Sequence, residues 1–171
     1  MPKSDSQPAA RIVVMGVAGC GKTSVGLQLA IALGVAFTDG DDLHPAVNKA
    51  KMASGTPLDD EDRWPWLELV GQTLAHESGS VVACSALKRV YRDRIREAAP
   101  DTVFVHLTGT RELLWERISS RQNHFMPPAL LDSQLAILEQ LGLDERGMAL
   151  DISDSVENLV KHTLEALGRA G

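Results

Sequence analysis

Cysteine is nearly absent from this 171-residue chain: only Cys20 and Cys84 occur, far apart and without a CxxC pairing. That excludes a small zinc module and a disulfide-dense secreted scaffold, and it points to a reducing cytoplasm. Long apolar runs are also missing. The longest, IVVM at 12–15 and SVVACSAL at 80–87, fall far short of the roughly 20 residues that cross a bilayer, so no membrane partner is expected. Positive charge is in deficit, with 17 Lys and Arg against 23 Asp and Glu and a net charge of -6. No global field therefore invites nucleic acid or anionic lipid, and any anion must be bound by a local site. The opening MPKSDSQPAA lacks the apolar segment of a signal peptide, and residues 1–10 read as a flexible tail. Internal repeats and low-complexity linkers are absent too.

What remains is enough for one core. With 44% hydrophobic and 23% charged residues, residues 11–171 read as a single domain. Short apolar runs alternate with longer amphipathic stretches, the pattern of βα units on a parallel sheet. Five strands are predicted, at Arg11–Met15, Ala36–Thr38, Val81–Cys84, Val103–Leu107 and Met148–Ile152, each expected to be buried on both faces. Val25, Leu29, Ala32 and Leu33 mark a helix stopped by Gly34, and Val156, Leu159, Val160, Thr163, Leu164 and Leu167 mark a last one closed by Gly168. Two stretches break the alternation. Residues 44–66, rich in proline and acid, read as a substrate-side flap, and residues 122–128, around HFMPP, as a mobile lid.

The chemistry starts at Gly16-Val17-Ala18-Gly19-Cys20-Gly21-Lys22-Thr23, a GxxxxGK[ST] match placed after an apolar strand and before an amphipathic helix. Glycines let backbone N–H groups turn toward phosphate oxygens, and the helix that follows presents its positive end. Lys22 would reach the β- and γ-phosphates, and the Thr23 hydroxyl could ligate Mg²⁺. Gly16 to Thr23 together with Ser24 are therefore the expected nucleotide cradle, with ATP and Mg²⁺ as the implied ligands.

A phosphate cradle alone does not separate kinases from switches and motors. Asn48-Lys49-Ala50-Lys51 lacks the Asp of a guanine-reading segment, and SVVACSAL ends without the acidic pair of large ATPases. The carboxylates lie instead after strand two, in Phe37-Thr38-Asp39-Gly40-Asp41-Asp42. There Asp39 and Asp41 leave the sheet at the carboxyl edge where α/β proteins bind ligands. If extended they share one side, one able to hold a metal through water and the other a substrate hydroxyl.

Taken with GVAGCGKTSVG, the segments DGDDLHP, NKAKMASGTPLDDEDRWPWL, CSALKRVYRD and GTRELLWERISSRQNHFMP resemble the gluconokinases, within the shikimate kinase-like and nucleoside monophosphate kinase-like P-loop group. The resemblance runs in register from about Arg11 to Ala166. It implies a three-layer α/β P-loop kinase fold, a five-stranded parallel sheet flanked by helices with a substrate-side helical flap and a lid. It also implies ATP-dependent phosphorylation of the 6-hydroxyl of D-gluconate, and a homodimer as the family's common assembly. On that reading Asp41 orients the accepting hydroxyl, Asp39 holds Mg²⁺ through water, and Arg117 lies over the adenine. Arg121 would reach the transferring phosphate, joining Lys22 and Asp41 as catalytic residues.

A substrate carrying one carboxylate and a row of hydroxyls needs cations and neutral donors. Arg63, Lys88 and Arg92 are the cations expected there, the last two at i and i+4 on one helical face. His44 and Ser85 are the expected polar contacts, although Ser85 could equally cap a helix. Trp64, Trp66 and Trp115 read as packing residues. Two alternatives stay open: a kinase of the same group acting on shikimate, adenylylsulfate or a nucleoside monophosphate, and a nucleotide-binding switch without a small-molecule acceptor.

Overall fold

β1 (Arg11–Met15) alternates its side chains between two interiors, with Ile12 and Val14 in one apolar cluster and Val13 and Met15 in the other. A strand buried on both faces must lie in the middle of a sheet covered by helices on both sides, and this one does. The computed structural model, which describes residues 9–76, 78–120 and 128–168, pairs β1 in parallel with β3 (Ser80–Ala83) and β4 (Val103–Thr108). β2 (Ala36–Asp39) and β5 (Gly147–Asp151) close the two edges, giving the all-parallel order β2-β3-β1-β4-β5.

On one side α1 (Lys22–Leu33) and α7 (Val156–Ala166) pack through Val25, Leu29, Leu159, Val160 and Leu164. α5 (Arg111–Ser119) and α6 (Pro128–Ile137) add Leu114, Ile118 and Leu131 to the same cluster. On the other side α3 (Asp60–Leu74) and α4 (Arg89–Ala98) bring Trp66, Leu67, Val70, Leu74, Tyr91 and Ile95 against Val82 and Phe104. The remaining helix, α2 (Ala46–Ala53), precedes α3, so most of the predicted flap is helical.

The five predicted strands and the two helices with their glycine stops are present within one residue or so of their expected bounds, and both Gly34 and Gly168 adopt positive φ, 68° and 71°. Two expectations are corrected. The edge strands are not buried on both faces, because each has only one neighbour and alternate residues of β5 face solvent. On α1 the buried set runs through Ala30 rather than Ala32, since the helix turns its apolar stripe toward both the sheet and α7. Arg121 and residues 122–127 of the predicted lid lie outside the described residues. Among the described residues no helix is long and apolar enough to cross a membrane.

Candidate active site

The central strand delivers the phosphate loop to the carboxyl edge of the sheet. Gly16 starts it, and its N–H donates to the Ser85 carbonyl at 3.3 Å, tying the loop to the end of β3. Gly19 and Gly21 hold φ of 85° and 92°, values that L side chains rarely adopt. A Cβ on Gly19 would also meet Ile118 at 2.7 Å, so the loop lies directly on α5. Lys22 folds back over the loop, where its Nζ donates to the carbonyls of Gly16 and Val17 at 3.1 and 3.2 Å. The Ala18 N–H is taken by Oε1 of Gln134, from α6, at 2.8 Å. Both Cys20 and Cys84 are buried. Burial pushes the Cys84 thiol up to about 12, so it is no nucleophile at neutral pH.

The turn after β2 is the second component. Asp39 caps a 3₁₀ turn over Gly40–Leu43 by accepting the Asp41 N–H at 3.0 Å. Gly40 is required there because a Cβ would stand 2.5 Å from the Ala83 carbonyl, and its own carbonyl accepts Trp66 Nε1 at 2.7 Å. The turn is thereby pressed against the end of β3. The carboxyl of Asp41 is held above its ordinary pKa, first by loss of hydration, then by Asp39, with Lys22 opposing and Asp42 adding to the rise. That Lys22 acts on Asp41 puts the lysine of the cradle and the carboxylate of the turn in one electrostatic field.

Arg63 and Lys88 form the third component, and they do come together. Each lies beside Asp60, at 3.5 and 3.6 Å, and each stands 5.5 Å from the centre of the Tyr91 ring. The Tyr91 hydroxyl donates to Asp60 at 2.5 Å and accepts from Arg63 at 3.2 Å. The Tyr91 phenol is raised to about 12, by burial first and then by its bond to Asp60, whose own carboxyl is lowered chiefly by Tyr91 and further by Lys88 and Arg63. The rest of the acidic run serves the fold: Asp59 and Asp62 form a reciprocal capping box at the start of α3.

Arg92 is a correction. Spacing placed it beside Lys88 on one helical face, but Lys88 is the extended N-cap of α4, outside the helix, so the i, i+4 rule does not apply to the pair. Arg92 turns inward and is wholly buried. Its Nε and Nη2 donate to Glu145 at 2.8 and 3.0 Å, while Nη1 donates to the carbonyls of Ala86 and Leu87. Every donor direction that a substrate would need is already used. The remaining predicted residues lie at the carboxyl edge: Ser85 is half-buried after β3, and His44 is buried against Trp66. Arg117 anchors its guanidinium on the Ile152 carbonyl, after β5.

Sequence reasoning missed Asp60 and Tyr91 as organisers of the cation pair, Gln134 as a partner of the phosphate loop, and Asn48 beside His44. Tyr91 is the chain's single tyrosine, four residues before the buried Ile95, a spacing that announces a core-facing phenol needing a partner. No local signal points to Gln134.

The metal expectation can be tested on the donor set. Among the described residues no group of three or more His, Cys, Asp or Glu side chains could hold a metal. Thr23 offers one exposed hydroxyl, and Asp39 already gives one oxygen to the Asp41 amide. Such a sparse set suits Mg²⁺ that arrives with the nucleotide and keeps most of its ligands as phosphate oxygens and water.

A phosphate loop at the centre of a 2-3-1-4-5 parallel sheet, faced by a carboxylate turn and flanked by a cation pair, defines a small-molecule P-loop kinase. The shikimate kinase family model matches residues 18–164. The gluconokinase of Gluconobacter oxydans is 48% identical over 138 residues, covering 78% of each chain. The thermosensitive gluconokinase of Escherichia coli is 42% identical over 161 residues, covering 91% of this chain and 86% of that one. A crystal structure of a gluconokinase from Sinorhizobium meliloti superposes with a TM-score of 0.86 at 48% identity, covering 94% and 92% of the two chains. The chain belongs to the gluconokinase family, within the shikimate kinase group.

Proposed function

We propose that this protein transfers the γ-phosphoryl group of ATP to the 6-hydroxyl of D-gluconate, giving 6-phosphogluconate and ADP. The observation that carries the acceptor is the convergence of Arg63 and Lys88 on Asp60 beside Tyr91, with Arg63 on the helix whose Trp66 bonds to the Gly40 carbonyl of the turn that presents Asp41. Two neighbouring cations match a carboxylate, and the polar edge formed by Asp41, His44 and Ser85 matches a polyol chain.

Phosphoryl transfer asks the protein chiefly for positioning and charge stabilisation. Gly16 to Ser24 bind the phosphates through loop N–H groups and the start of α1. Lys22 leaves the loop carbonyls for the β- and γ-phosphate oxygens, and Arg121 supplies a second cation to the transferring group. Arg117 covers the adenine. Thr23, and Asp39 through water, would hold Mg²⁺, which would supply neutralisation of phosphate charge when bound. Asp41 accepts a hydrogen bond from the 6-hydroxyl, aims its oxygen at the γ-phosphorus and takes its proton as the bond to phosphorus forms. Its raised pKa suits that proton, with burial and Asp39 raising it and Lys22 opposing.

ADP release with ATP and Mg²⁺ against D-gluconate, other aldonates, shikimate, adenylylsulfate and nucleoside monophosphates tests the reading. Gluconate-dependent release is the expected result. Release with another acceptor would overturn the assignment of the Arg63–Lys88 pocket, and silence with all acceptors despite ATP binding would favour a switch. Two buried thiols are the cysteine usage of a reducing cytoplasm. The homodimer reading is supported by the exposed Leu27 and Ile31 at i and i+4 on α1, and sedimentation equilibrium decides it.

A further inference from the structure

His44 is the one predicted substrate contact whose surroundings determine the position of its proton. The ring is buried and stacks on Trp66, with centroids 4.1 Å apart and planes 17° from parallel. Trp66 is itself fixed by the bond from Nε1 to the Gly40 carbonyl at 2.7 Å. The buried Asn48, in the first turn of α2, places its Nδ2 3.2 Å from His44 Nδ1 and 2.8 Å from the Asp62 carbonyl. A carbonyl can only accept, so the atom facing Asp62 must be the amide nitrogen; a flipped amide would set two oxygens against each other. The two amide hydrogens then go to the Asp62 carbonyl and to His44 Nδ1. Nδ1 must present its lone pair, and the ring proton must sit on Nε2.

We infer that Asn48 is a positioning residue of the acceptor site, which holds His44 as the neutral Nε2–H tautomer so that the ring offers one hydrogen-bond donor to a substrate oxygen. Trp66 sets the plane of the ring and Asn48 sets its rotation and proton. Imidazolium is disfavoured by the same geometry, since a proton on Nδ1 would face the Asn48 amide hydrogens. Burial lowers the imidazole pKa in the same direction, with Arg63 and then Lys49 adding to it. Asp62, through its carbonyl, and Lys51, through its bond to the Asp62 carboxylate at 2.5 Å, link this arrangement to the capping box of α3. A donor of fixed direction donates to a hydroxyl or carboxylate oxygen of the substrate and disfavours an analogue that presents only a donor there.

The inference rests on the proposed acceptor site for its function, but its physical core is independent of substrate. A long-range ¹H–¹⁵N correlation spectrum of the ¹⁵N-labelled full chain at neutral pH, assigned by the loss of signals in His44→Gln, should show an unprotonated Nδ1 and a protonated Nε2 at His44. A protonated Nδ1, in either the other tautomer or the imidazolium, would overturn it. Asn48→Ala should mix the tautomers and raise the gluconate KM about five- to tenfold, the worth of one hydrogen bond, with the ATP KM unchanged. An altered spectrum with an unchanged gluconate KM would remove the positioning role. If Asn48→Ala does not fold, the wild-type spectrum still decides the tautomer. The expected spectrum in a protein without gluconate activity would leave the tautomer standing and overturn the proposed reaction instead.

Discussion

Arg92 donates through Nη1 to the carbonyl of Ala86 at 2.9 Å, and Ala86 is the one non-glycine among the described residues with positive φ, 45°. A left-handed alanine is strained by roughly 1 kcal/mol or more. Here the strain is held by a guanidinium that also bonds to the next carbonyl, Leu87, at 3.3 Å. The clamped residues lie between Ser85 and Lys88, at the edge where the acceptor is proposed to bind. Arg92 thus shapes this edge from beneath rather than by contact.

Arg92→Met should therefore cost stability before anything else. It removes two of the four hydrogen bonds that the buried Glu145 accepts, leaving that carboxylate the Arg96 guanidinium and the Gly142 N–H. Breaking a buried pair from one side costs about 3–5 kcal/mol, to be read as a lowered urea midpoint. The double variant Arg92→Met, Glu145→Leu should recover part of that loss. A fully stable Arg92→Met with a selective loss of gluconate binding would return Arg92 to the substrate pocket.

The same cluster predicts acid sensitivity. Burial alone would raise the Glu145 carboxyl, but its bonds from Arg92, the Gly142 N–H and Arg96 outweigh that and bring it from 4.5 to about 2. A carboxylate with a depressed folded pKa stabilises the fold above its unfolded value and loses that contribution as protons bind. Stability should fall as pH drops from about 4.5 toward about 2, and Glu145→Gln should flatten that part of a urea midpoint-against-pH curve. An unchanged slope would mean that other carboxylates carry the acid transition.

At the turn after β2, Asp41→Asn should lower turnover by about 10²-fold or more while ATP binding persists. In the wild type the acid limb of kcat/KM for gluconate should lie above the ordinary Asp value of 3.8, because burial and Asp39 both raise Asp41. Asp39→Asn removes one raising charge, so its residual activity should show that limb at lower pH. A limb that does not move would separate the two carboxylates.

Tyr91→Phe tests the cation pair. It removes the hydroxyl that donates to Asp60 and accepts from Arg63, leaving the ring in the core. The gluconate KM should rise about fivefold, with the ATP KM unchanged and stability lowered by about 1 kcal/mol. Steady-state kinetics with each substrate varied in turn would check this, and equal changes in both KM values would argue for a general loosening.

Gly40→Ala is the corresponding probe of backbone fit. Its methyl would stand 2.5 Å from the Ala83 carbonyl, which cannot yield without disturbing the β2–β3 pairing. Thermal unfolding should shift down by several degrees, consistent with overpacking of about 1–3 kcal/mol. An unshifted midpoint would show that the turn is not pressed on β3.

Much of this protein is written locally in its sequence. Runs such as RIVVM and VFVHL became central strands because β-branched and apolar residues without polar alternation suit a sheet covered on both sides. The phosphate loop was legible because its glycines serve backbone geometry, at φ of 85° and 92°, whereas Asp39 and Asp41 were expected on one side of an extended chain and are found in a 3₁₀ turn in which Asp39 accepts the Asp41 N–H. Tertiary structure alone decided the partners. Helical spacing describes a face but not whether that face looks at solvent or core, so Arg92 was expected beside Lys88 and is found paired with Glu145, 53 residues away. Asp60 and Tyr91 are 31 residues apart, and Gln134 meets Ala18 across 116. Hydrogen-bond partners at such separations are selected by how helices pack on the sheet, which depends on the whole apolar pattern at once and on no single segment of it.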